Sequence, residues 1–231
     1  MFKIKDGTIF IADSHYSAKR SALSIILKQI KYKRLLCNKL IFMGDIFDFL
    51  SNDIQYFIDQ NQEIIDMIND ISLDMPIIYF EGNHDFNLIN FFPNIITISR
   101  KQQPISIRHN NKIVKLAHGD IYTPFLYNMY TATIRNKILL KILNFIDINN
   151  WLTKIVEKLL ENKSICKRYT DLNKLYLTRI YKYKADLVIE GHFHQNILKD
   201  DYINIPSFFC DEIYLYYEKN RFYFKKLEKN L

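Results

Sequence analysis

The sequence is short of the residues that loosen or staple a chain. Its 231 residues include five glycines, five prolines, three cysteines and a single tryptophan. Cys37, Cys166 and Cys210 form no C-x-x-C pair and are odd in number. A disulfide framework is therefore not expected, the thiols read as inert, and a reducing compartment fits. No run of about 18 apolar residues occurs, so no membrane-spanning helix is expected. The opening residues run straight into an apolar strand. They carry neither the apolar core nor the small-residue cleavage site of a signal peptide, so a cytoplasmic protein is expected, one that can still sit on a membrane surface. Neither Gly nor Pro occurs between Pro124 and Gly191, and no internal repeat is present.

What is present is a chain 48% hydrophobic, enough for one large domain or a domain plus a cap. Net charge is +7. That balance fits anionic partners such as phosphates, nucleic acid or a membrane surface, and equally a Lys-rich, AT-biased coding sequence, which 16 Tyr and 17 Phe also fit. Between Arg135 and Lys184 twelve basic residues face four acids. The excess of eight is larger than the whole-chain charge, so the basicity is concentrated there.

The chain opens βαβαβ: strands at 8–12, 40–43 and 77–80, with helical spacing over 19–33 and 54–71. A parallel sheet covered by helices is expected. Short strands at 95–99, 105–109 and 112–117 then predict a second, more antiparallel sheet, with Asn110-Asn111 as a hairpin turn. Strand signals vanish from Tyr122 to Lys184. Three helices are expected there, marked by Leu139 to Ile146, Trp151 to Leu160 and Leu172 to Ile180. Strands return at 187–190, 202–205, 212–217 and 221–227.

Five apolar runs end in Asp, His or Asn beside a turn: Ile9 to His15, Leu40 to Asp45, Ile77 to Asp85, Ile113 to Asp120 and Leu187 to His194. Five of the six histidines lie at these ends; only His109 does not. Carboxylate and imidazole groups at strand ends are how α/β proteins build sites. A mixed Asp/His/Asn set suits Mn, Fe or Zn better than Mg. Asp-x-His and His-x-His, taken as extended, put two side chains on one side of the chain. Two ions sharing a central carboxylate are a standard device for phosphate ester hydrolysis.

D-x-H, G-D, G-N-H-D, H-G-D and G-H-x-H, in that order from Asp13 to His194, resemble the calcineurin-like metallophosphoesterases. The resemblance implies a two-sheet α/β/β/α sandwich with two divalent ions, Mn first, with Fe or Zn as alternatives. It implies Asp13, His15 and His194 on one ion, Asn83, His118 and His192 on the other, and Asp45 bridging. His84 would stand near the leaving group as acid or electrostatic stabiliser, with Asp85 orienting it. Asp120 reads equally as a loop cap or a catalytic group. Gly44, Gly82, Gly119 and Gly191 would let backbone approach the metals.

Within that family, G-D-I-F-D-F at 44–49, the long basic helical stretch after H-G-D, and Y-x-N-x-P-S-F at 202–208 are similar to the UDP-2,3-diacylglucosamine pyrophosphatases of lipid A synthesis. Members of that group carry Arg where this chain has His84; His84 restores the general phosphoesterase pattern. The likeness implies one domain over 1–231 with a helical cap at 122–185, hydrolysis of the pyrophosphate to a diacylglucosamine 1-phosphate and UMP, and contact with the inner-membrane surface. An apolar groove is expected between cap and metals, rimmed by Arg135, Lys167 and Arg168 as substrate-binding residues. The alternative is a general phosphoesterase for nucleotides, phosphodiesters or phosphoproteins. A single helical insertion resembles a lid more than a duplex-binding track, so no nucleic-acid partner is expected. Intact ligands argue against a non-catalytic scaffold.

Overall fold

A computed structural model describes residues 3–229. Its strands in chain order are β1 (Thr8–Ile11), β2 (Lys39–Phe42), β3 (Leu50–Ser51), β4 (Ile77–Phe80), β5 (Asp85–Phe86), β6 (Ile96–Ile98), β7 (Ile105–His109), β8 (Lys112–Ala117), β9 (Leu187–Glu190), β10 (Ile197–Leu198), β11 (Tyr202–Asn204), β12 (Ile213–Glu218) and β13 (Arg221–Lys226). The helices are α1 (Ala22–Lys31), α2 (Gln55–Asp74), α3 (Phe125–Ile134), α4 (Lys137–Ile146), α5 (Trp151–Glu161), α6 (Leu172–Tyr183) and α7 (Phe208–Asp211).

One sheet has six strands, ordered β13-β12-β1-β2-β4-β6; a second has five, ordered β10-β11-β9-β8-β7; β3 and β5 form a small two-stranded sheet. Strand alternation builds the layers. Ile9, Ile11, Leu40 and Phe42 face α1 and α2, where they meet Leu23, Ile26, Ile64 and Ile68. Their neighbours Phe10, Ile41 and Ile78 turn the other way, onto Val114, Leu116 and Ile189 of the second sheet. Both faces of β1 and β2 are therefore buried, which is why these strands read as unbroken apolar runs. On the far face of the second sheet, Tyr176 and Ile180 of α6 pack near Val188 and Tyr202. The layers are α/β/β/α.

The second sheet is more parallel than the sequence reading holds. β8 pairs with β9, and β9 with β11, in parallel. The chain between β8 and β9 is long and helical, and such crossovers return a strand parallel. The strand at 96–98 joins the first sheet, parallel to β4. Asn110 and Asn111 have φ of 47° and 61°, the left-handed pair that closes a tight hairpin, with His109 opposite Lys112.

Residues 125–184 contain four helices, not three, and no strand. Asn136 caps α4 by accepting from Ile138 N and Leu139 N, and Asp171 caps α6 by accepting from Lys174 N. The missed helix, α3, reads FLYNMYTATI and has no clean polar face. The apolar stripes of α4 and α5 do not close into a bundle: Phe145 is 88% exposed, Ile148 73% and Trp151 57%. Among the described residues no helix is long and apolar enough to cross a membrane.

The cysteine reading is corrected. Cys166 and Cys210 are disulfide-bonded, their Cα atoms 5.7 Å apart. The two lie 44 residues apart, and only the fold brings α7 beneath the loop after α5. Cys37 remains free, with its thiol pushed up to about 12 by burial, which keeps it unreactive.

Candidate metal centre

The C-terminal ends of β1, β2, β4, β8 and β9 converge on one site. Five of its residues have left-handed backbone: Asp13 (φ 51°), His15 (42°), Asp45 (52°), His192 (63°) and His194 (60°). Asp-x-His and His-x-His are thus tight turns, not the extended strand ends the sequence reading assumed. Left-handed non-glycine residues cost roughly 1–2 kcal/mol each and cluster at functional sites. Mutual hydrogen bonds hold them: Asp13 N donates to Gly44 O, His15 N to Asp45 O, His192 N to Asp13 Oδ2 and His84 N to Asp45 Oδ1. Gly44, at φ 88°, allows a close approach; a Cβ there would stand 2.5 Å from His118 Nδ1.

The structure brings all seven expected ligands together. Ligand atoms of Asp13, His15 and His194 lie within 4.8 Å of one another, as do those of Asp45, His118 and His192. Asn83 Oδ1 is 3.3 Å from His118 Nε2, which places it with the second set. His84 also approaches, forming a group with His15 and Asp45.

The donor set fits a pair of cations. Both ring nitrogens of His15 are buried without a hydrogen-bond partner, and Asp13 Oδ1 meets only His194 Nε2, 3.1 Å away. Native interiors rarely leave such atoms unpaired. His118 Nδ1 donates to Met43 O at 2.8 Å and His194 Nδ1 to Ile165 O at 3.2 Å, so both Nε2 atoms face inward, the orientation a metal ligand needs. Burial would raise the Asp45 carboxyl, but the neighbouring His118, His84 and His15 rings hold it well below the usual range. Burial works the opposite way on His118, yet the Asp45 carboxylate 3.5 Å away raises it to about 10. Asp45 is the electrostatic centre that both sets share.

His84 donates from Nδ1 to Asp48 O at 2.7 Å. Burial lowers it to about 4 against the opposing pull of Asp45, so the ring is neutral with Nε2 free to accept. Asp85 does not touch that ring. It accepts from Asp45 N, Ile46 N, Gly82 N and the Tyr79 hydroxyl, so it braces the Asp45 turn, and the Asp48 carbonyl orients His84 in the place the resemblance gave to Asp85. Asp120 accepts from Arg100 and Arg135, joining their chains beneath the site.

Two cavities open at the centre. One, of about 430 Å³, is walled by apolar side chains of the helical segment, among them Ile134, Leu139, Leu143 and Val156, together with Phe49 and Phe57. The other, about 500 Å³, is lined by His15, Asp45, Asn83, His192 and His194 and by the loop carrying Lys167 and Arg168. Asn83, His84, Lys163 and His192 line both.

The basic residues singled out from sequence have mixed fates. Lys167 and Arg168 line the polar cavity, with Arg168 also paired to Asp211 at 2.5 Å. Arg135 lines neither; it donates to Gly82 O and Asp120 and lies over the Phe86 ring. Lys163, unassigned from sequence, is the cation that reaches the centre, its Nζ 3.4 Å from His84 Nε2. Nothing in the sequence distinguishes it from the eleven other basic residues of its segment.

A family model described as calcineurin-like phosphoesterase matches residues 8–196. A UDP-2,3-diacylglucosamine hydrolase of Histophilus somni (strain 129Pt) is 27% identical over 205 residues, 82% of this chain and 85% of that protein. One of Coxiella burnetii (strain RSA 331 / Henzerling II) is 24% identical over 207 residues, 85% of this chain and 84% of that protein. Among solved structures, a phosphoesterase of E. coli, Yfce, aligns with a TM-score of 0.44 at 13% identity over 90% of this chain and 86% of that one.

Proposed function

Because the chain belongs to the calcineurin-like phosphoesterases and is a metal-dependent phosphoester hydrolase, we propose that it cleaves the pyrophosphate of UDP-2,3-diacylglucosamine, or a close diacylated sugar nucleotide, to UMP and a diacylglucosamine 1-phosphate. The observation that carries this reading is the junction of an apolar and a polar cavity at Asn83, His84, Lys163 and His192. A substrate that is a phosphate at its middle, acylated at one end and polar at the other has the same order of parts. Acyl chains gain about 0.8 kcal/mol per buried CH₂, which a plain nucleotide would leave unused. The hydrolase names of the relatives point the same way.

Asp13, His15 and His194 would hold one divalent ion and Asn83, His118 and His192 the other, with Asp45 shared by both sets. The mixed Asp/His/Asn set admits Mn, Fe or Zn, and manganese is the ion proposed here. Bound divalent ions supply a water of lowered pKa and a clamp for phosphoryl oxygens. The chain's own groups do the rest. Lys163 sets an ammonium where the pyrophosphate charge crosses between the cavities. His84, fixed through Nδ1, accepts from the Lys163 ammonium through Nε2 and holds it beside the departing phosphate. The segment 122–185 acts as the lid, with Lys167 and Arg168 on its polar wall. Its outer surface carries exposed Phe125, Leu126, Phe145 and Trp151 among Lys137, Lys141, Lys154 and Lys158. That mixture suits the anionic inner-membrane surface from which a diacylated substrate is drawn.

The competing reading, a general phosphoesterase, rests on His84 standing where the lipid-pathway enzymes carry Arg. Purified protein with Mn, offered UDP-2,3-diacylglucosamine beside simple nucleotides and phosphodiesters, decides between them. UMP release from the diacylated substrate at the highest kcat/KM is expected. Faster turnover of a simple nucleotide or diester would favour the general reading.

A further inference from the structure

The helix α6 lies on the second sheet through Leu175, Tyr176, Ile180 and Tyr183, yet it also buries an arginine there. Arg179 is 3% exposed and its partner Glu190 is fully buried. A buried ion pair is a poor way to attach a helix, since desolvation cancels much of its attraction. What the pair touches is more informative than its energy. Arg179 Nε and Nη2 donate to Glu190 at 2.8 and 2.6 Å. Nη2 also donates to Gly119 O, and Nη1 to Ile121 O, both at 2.9 Å. The guanidinium carbon stands 4.9 Å from the centre of the Phe193 ring. Glu190 has its remaining acceptor capacity filled by the hydroxyls of Tyr183 and Tyr202.

Four of the residues Arg179 touches, Gly119, Ile121, Glu190 and Phe193, lie one to three residues from an expected ligand of the metal centre; the fifth, Tyr183, belongs to α6 itself. Gly119 and Ile121 follow His118, Glu190 precedes His192 by two, and Phe193 separates His192 from His194. The two turns already touch, since Gly191 N donates to His118 O at 2.7 Å. They are also packed against each other: a Cβ at Gly119 would stand 2.9 Å from His192 Cβ and 3.5 Å from Glu190 Oε2. The His118 and His192 rings lie 5.1 Å apart and belong to one ligand set with Asp45. Of the other set, Asp13 and His15 donate their backbone N–H groups to Gly44 O and Asp45 O, and Asp13 Oδ2 also accepts from His192 N.

We propose that Arg179 is a positioning residue: its guanidinium clamps the turn after His118 to the turn bearing His192, and so sets the spacing of the second metal set from inside the helical segment. This rests on the two-ion reading of the centre. A planar fork with five donors can hold two carbonyls and a carboxylate at once; an ammonium cannot. Outer partners of this kind typically change metal affinity by about 10–100-fold when removed.

The test is calorimetric titration of chelator-stripped full-length protein with Mn²⁺, repeated with Co²⁺ to follow the visible absorption of each site. Wild type is expected to take two ions. Arg179→Lys should weaken one site by about 10–100-fold and leave the other within about twofold. Arg179→Met combined with Glu190→Gln removes both buried charges together, so it tests the same clamp if the lysine variant folds poorly. Tyr202→Phe, which loses one bond to Glu190 and touches neither turn, should keep both affinities. Folded variants with both sites unchanged, or with both weakened alike, would overturn the clamp. A wild type that binds one ion would instead remove the two-ion reading, and the clamp with it.

Discussion

At the strand ends Asp13, His15, Asp45, His118 and His194 are buried and held by their neighbours, whereas Phe145 on α4, Trp151 on α5 and Ile148 between them face outward with nothing over them. The first region is specified by groups inside the chain; the second gains its meaning from something the chain meets. The contrast shows in how each is built. The centre spends left-handed backbone at five residues and repairs it with mutual hydrogen bonds. The helical segment uses ordinary capped helices and puts its specificity into a cavity wall and an outer face.

The contrast is broken most severely at Asp45. Asp45→Asn removes the charge that both ligand sets share, and is expected to abolish turnover and reduce bound metal at both positions, as read by elemental analysis. Loss of one ion alone would show that Asp45 is not central. Next comes His84→Ala, which should lower turnover by about 10²–10⁴-fold while metal content stays near wild type. Metal lost in proportion to activity would make His84 a ligand, as its closeness to His15 and Asp45 allows.

On the other side of the contrast, Leu143→Asp places a charge in the apolar cavity. It should raise KM for a diacylated substrate by about tenfold or more and leave a small chromogenic phosphodiester unchanged, because an unpaired charge there opposes acyl chains alone. Equal effects on both substrates would mean that the cavity serves the fold. A smaller effect is expected from Phe145→Ser with Trp151→Ser: weaker sedimentation with vesicles containing anionic lipid, and unchanged hydrolysis of the small diester. The smallest concerns the link between the regions. Reduction of Cys166–Cys210, or Cys166→Ser, frees the cavity loop from α7 and should lower Tm by about 5–10 °C, since such bonds typically contribute about 2–4 kcal/mol. Thermal unfolding with and without reductant reads it.

The same contrast explains what was legible in the sequence. The strand ends were, because Asp, His and Asn after apolar runs have few other uses in that order, and all seven expected ligands converge. The buried strands were, because a sheet covered on both faces reads as continuous apolar residues. Local conformation was not: nothing in Asp-x-His announces two left-handed residues. Partners across the fold were hidden as well. Asp48 in place of Asp85 behind His84, Lys163 in place of Arg135 at the centre, and the Cys166–Cys210 bond all depend on chain segments tens of residues apart. α3 escaped because FLYNMYTATI is mixed on every side, and its outward Leu126 and Phe125 follow no core periodicity.

One substrate is proposed to span both cavities. The direct measurement is kcat/KM for UDP-2,3-diacylglucosamine against its non-acylated counterpart under identical Mn. With a few methylenes buried at about 0.8 kcal/mol each, the diacylated substrate is expected to lead by about 10²-fold or more. A ratio near one would contradict the account, leaving the metal centre intact and the apolar cavity without a role in choosing the substrate.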